Sequence, residues 1–330
     1  MASPAALKIL SKLRIPVIGA PLFIVSNPEM VVAQCAAGVV GSFPALNARP
    51  QEKLGDWLGQ IKSRLAELED AGAKPAPFAV NQIVHRSNDR LMKDMEDIVK
   101  HEVPIVITSL GAREDVFAAV HSYGGIVLHD VINNKFAKKA IEKGADGVVA
   151  VAAGAGGHAG TTSPFALIDE IREWWDGPLA LSGALGSGRA VLAAQAAGAD
   201  FAYMGSAFIP THEANASEDY KQSIVDCSSA DIVYSNLFTG VHGNYLRPSI
   251  ISAGLDPDNL PVSDPTAMKF GSGGKDSATA KKAWRDVWGC GQGIGAVKEV
   301  GSVADVVDRL EREYQAAGGA LESERARFLP

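Results

Sequence analysis

One histidine set among glycines, His158 in the run AAGAGGHAGTTSPF (residues 152–165), is the residue of this chain best suited to move a proton. A glycine-rich loop lets an imidazole come close to a ligand, and a neutral imidazole near pH 7 is a competent general base. Two further runs suit an anion. LSGALGSGRA (residues 181–190) and MGSAF (residues 204–208) contain Ser182, Gly183, Ala184, Gly205 and Ser206, which offer backbone N–H groups and hydroxyls without bulk. Small residues also let any loop turn tightly, so one such run would decide little. Two of them, with no GxxxxGK[ST] and no proper GxGxxG elsewhere, favour a phosphate cradle.

Other residues are weaker candidates. Ala20, Pro21 and Leu22 in GAPLF end an apolar run where backbone groups could meet a planar ring, or simply turn the chain. Asn81 in FAVNQ can donate to and accept from a heteroaromatic edge, or cap a strand. His129 in IVLHDV could line the same cavity or be a hydrogen-bonded structural histidine, and His242 in TGVHGNYLR could reach a substrate. His85, His101, His121 and His212 read as surface-loop residues. The pair Trp284 and Trp288 reads as core in preference to a pocket wall.

These residues need a scaffold, and the chain supplies a repeating one. Eight short apolar runs begin at Ile15, Gly38, Pro77, Val103, Gly124, Asp146, Gly177 and Asp200. They are continuous and rich in Val, Ile and Ala, as expected of parallel strands covered on both faces. Amphipathic segments such as QEKLGDWLGQIKSRLAELEDAG lie between them, and EKGAD and AAGAD give glycine helix stops that lead straight into the next strand. Eight βα units within the first 214 residues predict an α/β fold, a (β/α)8 TIM barrel, in preference to a doubly wound sheet. The candidate residues then fall at the C-terminal ends of the strands, where barrel active sites lie. Residues 215–280, including the Gly- and Ser-rich FGSGGKDSATAKK, read as an insertion or lid over that face. Residues 281–330 read as a segment returning to the barrel, closing with an amphipathic helix from Ser302.

Composition narrows the function classes. With 31 Lys+Arg against 38 Asp+Glu, a net charge of −7 and no basic run, nucleic acid is not an expected partner. The first 25 residues mix basic residues and proline into their apolar stretch, giving neither a signal peptide nor a membrane span. Cys35, Cys227 and Cys290 are far apart, which indicates neither a disulfide framework nor a metal site. A cytoplasmic, non-membrane enzyme is expected.

Taken in order, GAPLF, FAVNQ, GAGGHAG, LSGAL, MGSAF, LFTG and GCGQGIG resemble the nitronate monooxygenase family, also called 2-nitropropane dioxygenase-like proteins, over about residues 15–316. The resemblance implies a TIM barrel that binds flavin mononucleotide (FMN). It puts Ala20, Pro21, Leu22 and Asn81 against the flavin ring, with His129 among the candidate contacts, and Ser182, Gly183, Ala184, Gly205 and Ser206 around the phosphate. His158 matches the active-site histidine that abstracts the α-proton of a nitroalkane or holds the anionic nitronate, with molecular oxygen as the partner substrate. A homodimer is compatible with this reading. The alternative is an NAD(P)H-dependent flavin reductase acting on quinones or enoyl thioesters, since such relatives share the loop. Two departures stand out: Asp130 occupies a position where many relatives have Lys or Gln, bringing a carboxyl near the flavin, and no acidic residue precedes the glycines before His158.

Overall fold

The computed structural model describes residues 4–263 and 287–328. All eight predicted runs form strands of one parallel sheet: β1 (Val17–Gly19), β2 (Gly41–Pro44), β3 (Phe78–Ile83), β4 (Ile105–Ser109), β5 (Ile126–Val131), β6 (Gly147–Val151), β8 (Leu179–Ser182) and β9 (Phe201–Met204). Between β6 and β8 lies β7 (Gly157–His158), which belongs to a separate sheet. Neighbouring barrel strands follow chain order, and β9 returns to β1 in the register Val17↔Ala202. The ring closes between β1 and β2 through the bridge Ile18↔Val40, with Gly19 N–H donating to the Val40 carbonyl at 2.8 Å. The expected TIM barrel is the fold.

The strands are apolar throughout because both faces are covered. Their inward residues, among them Ile18, Val40, Ile107, Leu128, Val149, Ala180 and Phe201, fill the barrel. Their outward residues, such as Phe43, Val80, Val106, Val127 and Leu179, pack under the helices. Helix α1 (Pro4–Leu10) places Ala6 and Ile9 in the barrel-interior cluster beside Ile105, Ile126 and Phe201, the first inward residues of their strands. It plugs the bottom of the barrel, so the opposite end is the mouth.

The outer ring comprises α2 (Pro28–Ala36), α3 (Lys53–Asp70), α4 (Leu91–Lys100), α5 (Glu114–His121), α6 (Asn134–Glu142), α7 (Pro164–Arg172) and α8 (Gly188–Ala196). Helix α3 shows the logic: Leu54, Leu58, Ile61 and Leu65 recur at helical spacing and are the residues it buries. Each such side chain contributes about 1.5–3 kcal/mol on burial. Gly144 (φ +99°) and Gly198 (φ +110°) end α6 and α8 in the left-handed region, the stop foreseen in EKGAD and AAGAD.

After β9 come α9 (Glu218–Asp226), β10 (Ile232–Ser235), β11 (Gly243–Leu246) and α10 (Arg247–Ser252). Strands β10 and β11 pair antiparallel, and β11 pairs in turn with β7, so this segment is stitched to the loop that carries His158. The stretch FGSGGKDSATAKK and Trp284 lie outside the described residues. The C-terminal helix Val303–Arg325 starts with a capping box formed by Ser302 and Asp305, and packs on α8 and α2. Its Glu313 accepts the Gly188 N–H at 2.7 Å, a carboxylate on the positive end of α8. No helix among the described residues is long and apolar enough to cross a membrane.

Candidate active site

A cavity of about 2660 Å³ opens at the barrel mouth. It exceeds the ~300–1,000 Å³ of a single-ligand pocket and has room for a cofactor and a substrate together. Ala20, Pro21, Leu22, Asn81, His129, His158, Ser182, Gly183, Ala184, Gly205 and Ser206 all line it, although they come from six separate strands and their loops. His242 lies on its wall, stacked on Tyr234 at 5.1 Å between ring centroids. His85, read from sequence as a surface-loop residue, also lines it, whereas His101, His121 and His212 are not among its lining residues.

His158 is held by its two-residue strand, in register with Gly243 of β11. Its Nε2 lies 3.0 Å from Thr239 Oγ1. The Thr239 hydroxyl donates its single proton to the Val241 carbonyl at 2.8 Å and accepts from the Val241 N–H at 3.1 Å. This contact ties the imidazole to the turn between β10 and β11. Burial lowers the His158 pKa from its usual range to about 4, so the ring is neutral at neutral pH.

The cradle is built from three loops, one more than the sequence disclosed. Gly183 (φ +146°) and Ala184 (φ +55°) turn the chain after β8, and a Cβ on Gly183 would come 2.7 Å from the Ala153 carbonyl oxygen. The Ala184 N–H is committed to the Gly154 carbonyl at 3.1 Å. Ser206 Oγ accepts from Gly291 N–H at 2.8 Å and keeps its own proton for a ligand. Gly291 belongs to GCGQGIG, whose Gln292 N–H bonds the Gly154 carbonyl at 2.9 Å. A Cβ on Gly291 would lie 2.6 Å from that same carbonyl oxygen. The alternating glycines of that run were the signal: they let it lie flat against the His158 loop and the β9 loop. Trp288, just before it, is both wall and core, stacked on Tyr220 at 4.9 Å and 11° while lining the cavity.

Side chains alternate along β5, and this separates two neighbours. His129 is 4% exposed, bonds Thr108 Oγ1 at 2.7 Å and meets Phe117 of α5 edge-on, so its ring belongs to the layer between strand and helix. Burial, with a smaller contribution from Lys143, lowers its pKa to about 4. Asp130 faces the barrel interior instead. Asn81 Nδ2 donates to Ser109 Oγ at 2.7 Å, and Ser109 Oγ donates to Asp130 Oδ2 at 2.5 Å. Burial raises the Asp130 pKa to about 7, against the opposing effect of the Ser109 bond. Asp130 Oδ1 and the Tyr203 hydroxyl are buried with no hydrogen-bond partner.

An eight-stranded parallel barrel with small-residue turns after its last two strands and a histidine loop after its sixth defines a TIM barrel with an enzyme-like site at its mouth. Within that class the chain belongs to the nitronate monooxygenase family, whose sequence model matches residues 62–313. Enzymes of this family are flavin-dependent in general, and this chain is an oxidoreductase of that kind. It is 26% identical over 344 residues to a nitronate monooxygenase of Paraburkholderia phytofirmans, covering 91% of this chain and 92% of that one. It is 26% identical over 234 residues to the monooxygenase-like protein Rv1533 of Mycobacterium tuberculosis, covering 67% of this chain and 62% of that one, so it spans less than two thirds of that relative's length. Its fold matches nitroalkane oxidase from Streptomyces ansochromogenes with a TM-score of 0.76 at 23% identity, covering 96% of this chain and 99% of that chain.

Proposed function

We propose that this enzyme oxidises alkyl nitronates, and nitroalkanes once deprotonated, with FMN as its cofactor and molecular oxygen as electron acceptor. The observation that carries the reading is the placement of His158, fixed through Thr239, on the same cavity as the cradle. The residues fit the cofactor: a Cβ on Gly183 would crowd the turn of the cradle, and Ser206 retains a hydroxyl proton for a phosphate oxygen.

Ser182, Gly183, Gly205 and Ser206 would hold the phosphate, and Ala20, Pro21, Leu22 and Asn81 would border the ring, with His129 bracing β5 from behind. Bound flavin supplies the electron transfer between substrate and oxygen. His158, neutral at rest, accepts the α-proton of a nitroalkane or sits beside a nitronate already formed. An anion beside the ring favours the imidazolium and offsets the burial that depresses the free-site pKa. The free thiols of Cys35, Cys227 and Cys290 agree with a reducing, cytoplasmic setting.

Two measurements test the reading. Aerobic oxygen uptake with preformed nitronates should be rapid, and anaerobic mixing with NADH or NADPH should leave the flavin oxidised. Fast anaerobic bleaching with no nitronate-dependent uptake would assign the enzyme to NAD(P)H-dependent reduction instead.

A further inference from the structure

The turn that follows β1 is strained, and it carries apolar side chains into the cavity. Ile24 sits at φ +68°, a left-handed backbone that a β-branched residue adopts only under constraint. The constraint comes from both sides. Asn47 Oδ1 accepts the Ile24 N–H at 2.9 Å, while Asn47 Nδ2 donates to the carbonyls of Leu22 and Ser26 at 2.9 and 2.8 Å. Asn215 Nδ2 donates to the Ile24 carbonyl at 3.1 Å, and the Asn215 N–H to the Val25 carbonyl at 2.9 Å. This fastening does not bury the side chain. Ile24 is 40% exposed and lines the cavity beside Phe23, whose ring lies 5.1 Å from the Arg49 guanidinium. Leu110, just after β4 at φ +64°, is a second large apolar residue held in the left-handed region on the same cavity. Ile132 and Phe136, beyond β5, add further exposed apolar surface to it. Strain that leaves an isoleucine facing water serves no packing purpose, and water is a poor neighbour for five large apolar side chains around one opening.

We propose that Ile24 is a specificity-determining residue: with Phe23, Leu110, Ile132 and Phe136 it forms an apolar collar that takes the hydrocarbon tail of the substrate, so that the enzyme prefers long-chain alkyl nitronates to short ones. This rests on the nitronate reading above. At about 2660 Å³ the cavity is more than twice the ~1,000 Å³ upper end of an ordinary single-ligand pocket, which leaves space for a tail beyond the cofactor and the nitronate group. The collar stands on the loops after β1, β4 and β5, and it borders the same opening as His158 from the loop after β6. A chain whose reacting carbon meets the imidazole therefore has apolar surface to run along. Arg49 serves this wall and not an anion: its Nε donates to the Leu46 carbonyl at 2.9 Å and its guanidinium lies over Phe23. Lys139, one turn beyond Phe136 on α6, also lines the cavity and is the cation that a carboxylated tail would seek, so the test includes such a substrate.

The test measures kcat and KM by oxygen uptake with ethyl, butyl and hexyl nitronates and with a short nitronate carrying a carboxylate, in wild type, Ile24→Asn and Ile24→Leu. Asn tolerates the left-handed backbone and puts an amide where hydrocarbon stood, so Ile24→Asn should fold with a Tm at or above wild type and with unchanged flavin content. Wild-type kcat/KM should rise about 2–4-fold per methylene, the upper figure being that of a fully buried CH₂. A tail held equally in the ground and transition states acts on KM. Ile24→Asn should therefore lower hexyl nitronate kcat/KM about 10-fold through KM with kcat unchanged, and leave the ethyl value within about 2-fold, while Ile24→Leu restores the hexyl preference. A merely structural role would change all the nitronates alike. Equal wild-type kcat/KM across chain lengths, an Ile24→Asn loss of the same size for ethyl and hexyl, or a wild-type preference for the short carboxylated nitronate overturns the collar and leaves the nitronate reading intact. No oxygen uptake with any of these substrates overturns that reading, and this proposal with it.

Discussion

Thr239 Oγ1 lies 3.0 Å from His158 Nε2 and is itself bonded to both the carbonyl and the N–H of Val241, which ties the imidazole to the turn between β10 and β11. The hydroxyl thereby fixes where the imidazole sits. Thr239→Val should lower turnover about 10-fold, the worth of one such bond, while flavin content is unchanged and Thr239→Ser restores the rate. Equal rates in wild type and Thr239→Val would show that the ring is held in place by other contacts.

His158→Asn separates the two roles open to the imidazole. If His158 is a base, the variant should retain flavin and lose neutral nitroalkane turnover by about 10²–10⁴-fold, the range for removing a general base. Preformed nitronates have already lost the proton and should suffer only about 10-fold. Steady-state kinetics on both substrate forms decide it, and equal losses would assign the residue to anion binding.

The cradle is best probed at Gly205. A Cβ there meets the far end of Leu22, Cδ2 at 3.0 Å, and the backbone is in an ordinary region at φ −108°. Gly205→Val should therefore fold, with an unchanged circular dichroism spectrum, and bind FMN at least ~10-fold more weakly, or about 1.4 kcal/mol. Gly183 is a poorer choice, since its φ of +146° and the 2.7 Å approach to the Ala153 carbonyl would strain the turn itself. Full flavin occupancy in Gly205→Val would place the phosphate elsewhere.

Helix α8 crosses the C-terminal helix at Gly188, where a Cβ would overlap the Leu310 carbonyl oxygen and the Tyr314 nitrogen. Alanine is the better helix former, so any loss of stability at this position is steric. Gly188→Ala should destabilise the fold by about 1–3 kcal/mol in denaturant titrations, the cost of overpacking. A midpoint equal to or above wild type would mean that the two helices separate without penalty.

Stability should also carry the signature of His129. Its folded pKa of about 4 lies below the usual value of 6.5, so the unfolded chain binds the extra proton between those limits. The stabilisation from keeping His129 neutral is thus present above pH 6.5 and is lost as pH falls towards 4. His129→Asn should flatten the stability-against-pH curve in that window by up to about 1.4 kcal/mol per pH unit, one proton's worth. Identical slopes would show that His129 titrates alike in both states.

The eight strands were legible because a parallel strand covered on both faces is a continuous apolar run, and the glycine stops marked where helices end. That same coverage concealed which side chains look inward. With apolar neighbours before and after, nothing along IVLHDV separates the inward Asp130 from the outward His129, and Asp130 stood out only through the family resemblance. The SGALGSGRA loop was legible as a turn, but not the use of Gly188 N–H by Glu313, a residue far along the chain. The part of GCGQGIG in the cradle was hidden for the same reason, since contacts between distant loops leave no periodicity in either one.

The pairing of β7 with β11 also dictates an order of events. The sheet that carries His158 cannot form until β11 has emerged, after every barrel strand has already been synthesised. The barrel and the placement of its imidazole are thus separable acquisitions during synthesis. A nick between β10 and β11 would leave the strand ring covalently whole while unfastening the histidine loop, and sequence drift in β10 and β11 can retune the position of His158 without touching a barrel residue.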